Sequence, residues 1–170
     1  FDINRFVCLS IKDLLKLYGI NALIKWPNDI IINNRKIAGI LIENIFSKNI
    51  ISHSVIGIGL NINQGNFLQY NPPATSMFLE LINNFDTHQI KQELLDIIEL
   101  RYKKLKIGYS DLNEYNNKLY LLEKSFRFMS NNKQFYGRIK TTLDNGSLVI
   151  YDESNGIERE FLNSELKYIF

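Results

Sequence analysis

The sequence lacks most of the features that announce a specialised class of protein. It has one cysteine, Cys8, so no disulfide can form within the chain. A lone thiol fits a reducing, cytoplasmic setting, and its place in an apolar stretch reads as a small buried hydrophobe. His53 and His88 have no Cys, Asp or Glu at ligand spacing, so neither marks a metal site. No apolar run approaches the roughly 18–20 residues that span a bilayer, and no segment reads as a signal peptide. The formal net charge is +2 and no block of like charges occurs, which argues against a dedicated nucleic-acid binder. There is no GxxxxGK[ST] phosphate loop, and no Ser/His/Asp or Cys/His set stands out as a nucleophile device.

What remains is ordinary globular material, 45% hydrophobic and 22% charged over 170 residues. That length suits one domain, or one domain with a small appendix. Val7, Ile11, Leu14, Leu15 and Tyr18 recur at helical spacing, with Gly19 where a left-handed cap belongs. Leu23 to Trp26 is a short strand stopped by Pro27. Ile30 to Ile32 leads into Asn33-Asn34, a pair that tolerates the positive φ of a two-residue hairpin. Strands over about 36–44 and 50–61, joined by the turn Ser47-Lys48-Asn49, complete an antiparallel meander. Gln64-Gly65-Asn66 and Pro72-Pro73 mark 62–74 as a loop.

Thr75 or Ser76 caps a short helix through Ile82, and Asp86 with Gln89 has capping-box spacing ahead of a longer one ending at Gly108. A further helical piece is expected over 110–118. From Ser125 the pattern changes to five short strands with tight turns, which predicts a small closed β-barrel. Asp152, Glu153, Glu158 and Glu160 read as solvated charges on that barrel.

Three segments have the residue types for chemistry. In Lys25-Trp26-Pro27-Asn28-Asp29 a compact ammonium sits on a strand end stiffened by an aromatic and a proline, suited to a carboxylate or phosphate oxygen. A turn with a solvated lysine is the plain alternative. In Gly57-Ile58-Gly59-Leu60-Asn61-Ile62-Asn63, strand alternation puts Gly57, Gly59, Asn61 and Asn63 on one face, bare enough for a flat ligand. A bulged or tightly crossed strand would also need such glycines. In Arg35 to Glu43, Ala38 and Gly39 allow close backbone approach, and Lys36 faces either a ligand or solvent.

The order and text of these segments resemble the KWPND, K-x-A-G-[IV]-L-x-E and G-x-G-x-N series of biotin–protein ligases, and Pro73-Ala74-Thr75-Ser76 continues the likeness. The resemblance implies an α+β fold, with a mixed sheet flanked by helices related to class II aminoacyl-tRNA synthetase cores. It also implies an SH3-like carboxy-terminal domain, dividing the chain into 1–120 and 121–170. The activity implied is adenylation of biotin by ATP, with Mg2+, and transfer of biotin to a lysine of a carrier domain of a biotin-dependent carboxylase. By the same resemblance Lys25 is the catalytic and biotin-contacting lysine, Gly57 and Gly59 form the biotin floor, and Lys36 and Asn61 meet the nucleotide. Asp29 orders the strand end. A homodimer is compatible with the family, and neither a membrane nor nucleic acid is implied for this chain.

The family's G-R-G-R-x-G loop and upstream Ser-Thr-Asn segment do not occur, and Asn163-Ser164-Glu165 lacks the usual glycine of the carboxy-terminal element. With Phe1 first, the chain reads as an amino-terminally truncated piece, inactive alone, whose first helix exposes apolar surface. A lipoate–protein ligase and a non-catalytic binding fragment are the alternatives.

Overall fold

The computed structural model describes residues 1–48, 50–69 and 71–170; Asn49 of the expected turn and Tyr70 of the expected loop lie outside the described residues. Helix α1 (Asp2–Leu17) forms where the apolar period predicts it. It ends in a Schellman motif: Gly19 takes φ +79°, its N–H donates to Lys16 O, and Ile20 N–H donates to Leu15 O, both at 2.9 Å. The expected open apolar face is not found. Val7, Leu9, Ile11, Leu14 and Leu15 are fully buried, because α3 (Thr87–Lys106) and the first sheet close over the helix.

That sheet consists of β1 (Leu23–Lys25), β2 (Asp29–Ile32), β3 (Arg35–Ser47) and β4 (Ile50–Leu60), in the order β1-β2-β3-β4. Asn33 and Asn34, at φ 47° and 62°, make the tight β2–β3 turn that their tolerance of the left-handed region allows. Every ladder in the sheet is antiparallel, and among the described residues parallel pairing is confined to single bridges such as Ile24–Leu119 and Lys36–Ala74. Short helices α2 (Met77–Leu81) and α4 (Leu112–Asn116) flank α3 in sequence. Ser76 caps α2 by accepting from Leu79 N–H. Asp86 caps α3 through His88 and Gln89 N–H, but the Gln89 amide turns to Glu93, so only half of the capping box forms.

The carboxy-terminal strands are β5 (Ser125–Ser130), β6 (Lys133–Thr142), β7 (Leu148–Asp152), β8 (Ile157–Phe161) and β9 (Lys167–Tyr168), ordered β8-β7-β6-β5-β9. The sheet is open rather than a closed barrel. Residues 163–165 form a 3-10 turn, leaving β9 only two residues, which pair with β5 and not with β8. Asp152 is another departure: it is 1% exposed and accepts from Arg159 at 2.9 Å, where a solvated charge was expected.

Polar clamps fasten the second sheet to the first layer. The buried Trp26 indole N–H donates to Gly146 O at 2.9 Å, and Asn116 bridges Thr141 and Thr142. The helices are fastened by Arg101, whose guanidinium meets Asp13 at 2.6 Å, Glu114 at 2.7 Å and Asp111 at 3.2 Å. Removing the buried cation strands Asp111, while Asp13 and Glu114 are partly solvated, so Arg101→Met should cost about 2–3 kcal/mol in urea unfolding. Adding Asp111→Asn should recover part of that loss. The hydrogen bond from Arg101 holds the Glu114 carboxyl below the usual range. Its stabilisation is therefore full above the unfolded value of about 4.3 and fades as pH falls through the folded value. Arg101→Met should flatten that acid limb, and an unchanged limb would contradict the assignment.

Candidate functional site

One cross-strand row organises the site. Lys25 on β1 lies opposite Asp29 on β2, Asp29 opposite Gly39 on β3, and Gly39 opposite Gly59 on β4. Residues in register share a face, so two charges and two bare backbone positions stand side by side across all four strands. Asp29 Oδ2 accepts from Lys25 Nζ at 3.1 Å, and its Oδ1 is 2.5 Å from Lys36 Nζ. Two cations thus share one carboxylate, leaving a net positive charge suited to an anionic ligand. The Lys25 and Asp29 side chains are 13% and 14% exposed, while Lys36 is 40% exposed and is the more open of the pair.

Lys36 joins this group through an irregularity in the sheet. Simple alternation puts Lys36 and Gly39 on opposite faces. The register shifts between Ile30 and Ile31, however, so Lys36 pairs with Ile31 while Ala38 pairs with Ile30. The extra residue turns Lys36 onto the Gly39 face. A Cβ at Gly39 would lie 2.9 Å from the Lys36 ammonium, so a side chain there would push the ammonium from its present place beside Asp29.

Lys25, Lys36, Gly59 and Asn61 line one cavity of about 710 Å3, together with Asp29. Gly57 does not line it. It belongs to an adjoining hollow of about 500 Å3 that shares Asp29, Lys36, Gly39 and Gly59. The far wall of the larger cavity comes from the loop after β4, including Gln64, Asn66, Phe67 and Pro72. This loop is drawn in where Lys36 N–H donates to Pro73 O at 2.7 Å and Thr75 N–H to Lys36 O at 2.9 Å.

Asn61 sits just past the end of β4, its amide donating to Thr75 O at 2.9 Å. The predicted face stops there. Asn63 turns away and pairs with the Phe85 backbone in both directions, so it is no part of the site. Asn28 donates across the sheet to Ile40 O at 2.7 Å.

Beneath the lysine strand, Pro27 O accepts from the Tyr115 hydroxyl at 3.1 Å and lies 3.9 Å from the Cys8 thiol. Burial pushes the Cys8 thiol well up, with Asp29's charge adding to the effect, so Cys8 stays neutral and packs as expected. Among the described residues no group of three or more His, Cys, Asp or Glu side chains is placed to hold a metal ion. On the other side of Lys25, the Tyr168 ring lies 4.8 Å from Nζ, a neighbour that the sequence did not mark. Its only sequence signal is an aromatic near the end of a strand, shared by many residues in this chain.

The glycines of β4 are not required by packing. A Cβ at Gly57 or Gly59 would meet nothing nearer than 3.8 Å, and neither has positive φ. Gly59→Ala should therefore leave the urea unfolding free energy within about 0.5 kcal/mol of wild type. A loss above about 2 kcal/mol would show that this glycine serves the fold instead.

Residues 3–61 match the model of the Biotin/lipoate A/B protein ligase family. The chain is 31% identical over 146 residues to the Bifunctional ligase/repressor BirA of Bacillus subtilis, which covers 83% of this chain and 45% of that protein. The chain thus spans less than half the length of the curated relatives it matches. Two solved structures of the biotin protein ligase from Aquifex aeolicus share the fold at 23% identity. One gives a TM-score of 0.80, covering 98% of this chain and 73% of that one. The other, in complex with biotin and ATP, gives 0.79, covering 99% and 72%. With its lysine and glycine segments inside the matched region, the chain belongs to the biotin/lipoate A/B protein ligase family, as a relative of its biotin protein ligases.

Proposed function

We propose that the chain carries the lysine side of a biotin–protein ligase site. The observation that carries this reading is the row Lys25–Asp29–Gly39–Gly59, in which paired cations adjoin bare strand backbone at Gly59, where packing does not require a glycine. In the first step a biotin carboxylate oxygen attacks the α-phosphorus of ATP, giving biotinyl-5′-AMP and releasing pyrophosphate. In the second, a lysine amine of a biotin carboxyl carrier domain attacks the mixed anhydride and AMP leaves. Both steps gather negative charge near the carboxyl and α-phosphate, where a fixed ammonium lowers the barrier.

Lys25 fills that role, with Gly57 and Gly59 as the floor for biotin, Lys36 toward the phosphates and Asn61 toward the nucleotide. Asp29 holds both ammonium groups in place before an anion arrives. Mg2+ would come with the ATP phosphates: Asp29 is the one carboxylate lining the main cavity among the described residues, and two lysines already occupy it. Residues 1–120 form the catalytic part on this reading. Residues 121–170 form an SH3-like unit, supported by their separate five-stranded sheet. The carrier belongs to a biotin-dependent carboxylase, and a homodimer is compatible with this arrangement.

Leu41, Val55, Gly57 and Gly59 are exposed, so among the described residues nothing roofs the floor. We therefore expect these 170 residues to show negligible multiple turnover by themselves. Single-turnover reactions at high enzyme concentration should still form adenylate from biotin. Lys25→Met should slow that step by about a hundredfold while remaining folded. Adenylate formed from lipoate but not biotin would favour the related lipoate ligase chemistry, and an unchanged rate in Lys25→Met would remove Lys25 from the mechanism.

A further inference from the structure

We infer that Tyr168 is a positioning residue for Lys25, a role that rests on reading Lys25 as the lysine that meets the ligand's negative charge. The ammonium is held from two sides, by Asp29 Oδ2 at 3.1 Å and by the Tyr168 ring at 4.8 Å from its centroid. A π face attracts a cation without accepting one of its ordinary N–H bonds. Of the three ammonium donors, Asp29 takes one, and the ring fixes the group while leaving the others for a ligand. A second carboxylate in that place would hold Lys25 as firmly but would compete with an incoming anion.

The ring is itself braced. Tyr168 lies opposite Phe128 in the β5–β9 ladder, with ring centroids 5.2 Å apart, and stacks on Phe170 at 6.2 Å. Its hydroxyl is buried and has no hydrogen-bond partner among the described residues. The ring, and not the hydroxyl, is therefore the useful part. Tyr168 also lines a separate cavity of about 380 Å3 with Lys25, Pro27, Asn71, Pro72 and Phe170. Lys25 thus stands between two cavities, and β9 gives the carboxy-terminal sheet a direct hold on the lysine.

The test compares wild type, Tyr168→Phe and Tyr168→Leu in the full chain. In proton–carbon NMR spectra, the ε-methylene signal of Lys25 should be shifted upfield by the ring in wild type and in Tyr168→Phe. In Tyr168→Leu it should return to the position of a free lysine, while amide signals of the four-stranded sheet stay in place. In single-turnover adenylation Tyr168→Phe should match wild type. Tyr168→Leu should lose about tenfold in rate, with half-saturation by biotin changed by less than about twofold. A Lys25 signal without the upfield shift in wild type overturns the inference, as does an active wild type whose rate Tyr168→Leu leaves unchanged. Loss of the shift in Tyr168→Leu, with no adenylate from any of the three proteins, supports the contact and counts against the proposed function alone.

Discussion

Two ammonium groups share a single carboxylate at the end of a short strand, and much of the fold serves to hold them there. Asp29 can meet both Lys25 and Lys36 only because β1, β2 and β3 keep their register and one irregularity turns Lys36 onto the shared face. The frame is stiff where it needs to be. Trp26, next to Lys25, is buried and hydrogen-bonded to Gly146, while Pro27 O is met by Tyr115 from the helical side. The lysine strand is gripped by the helices and by the second sheet at once, which fits the need to place charge before a ligand arrives.

Beside the charges, the sheet is left bare. Gly39 makes room for the Lys36 ammonium, whereas Gly57 and Gly59 have space around them that an alanine would fill without conflict. Glycine in a strand weakens it slightly and contributes no packing. Its use at two exposed positions in succession is accounted for more readily by a ligand that lies on backbone than by the fold. On the same face Leu41 stands opposite Gly57 and adds exposed apolar surface there, before Glu43 opposite Val55 brings charge back further along the hairpin. A carboxylate at the lysines and an apolar body over the glycines would match this division.

Much of the architecture was legible in the residues. Val7, Ile11, Leu14 and Leu15 specify α1, Gly19 ends it, and Asn33-Asn34 fixes the hairpin that carries the site. The Lys25, Lys36, Gly59 and Asn61 segments do converge on one cavity, although Gly57 falls in the hollow beside it. What alternation missed was long-range or irregular. A register shift places Lys36, the end of β4 redirects Asn63, and a two-residue strand brings Tyr168 to Lys25 from far along the chain. Turn signals counted the carboxy-terminal strands well but could not show that the last is too short to close a barrel. Nor could composition show that Asp152 is buried, because its carboxylate is held by Ser154, Asn155 and Arg159 in the folded turn.

On the proposed function, an acyl-adenylate lies along the row from Lys25 to Gly59. Backbone amide shifts recorded during titration with biotinyl-5′-AMP test it most directly. The largest changes should fall on Lys25, Asp29, Gly39, Gly59 and Asn61, with little change near Asp152 and Arg159. Changes centred on the carboxy-terminal sheet, or none at millimolar ligand, would contradict it.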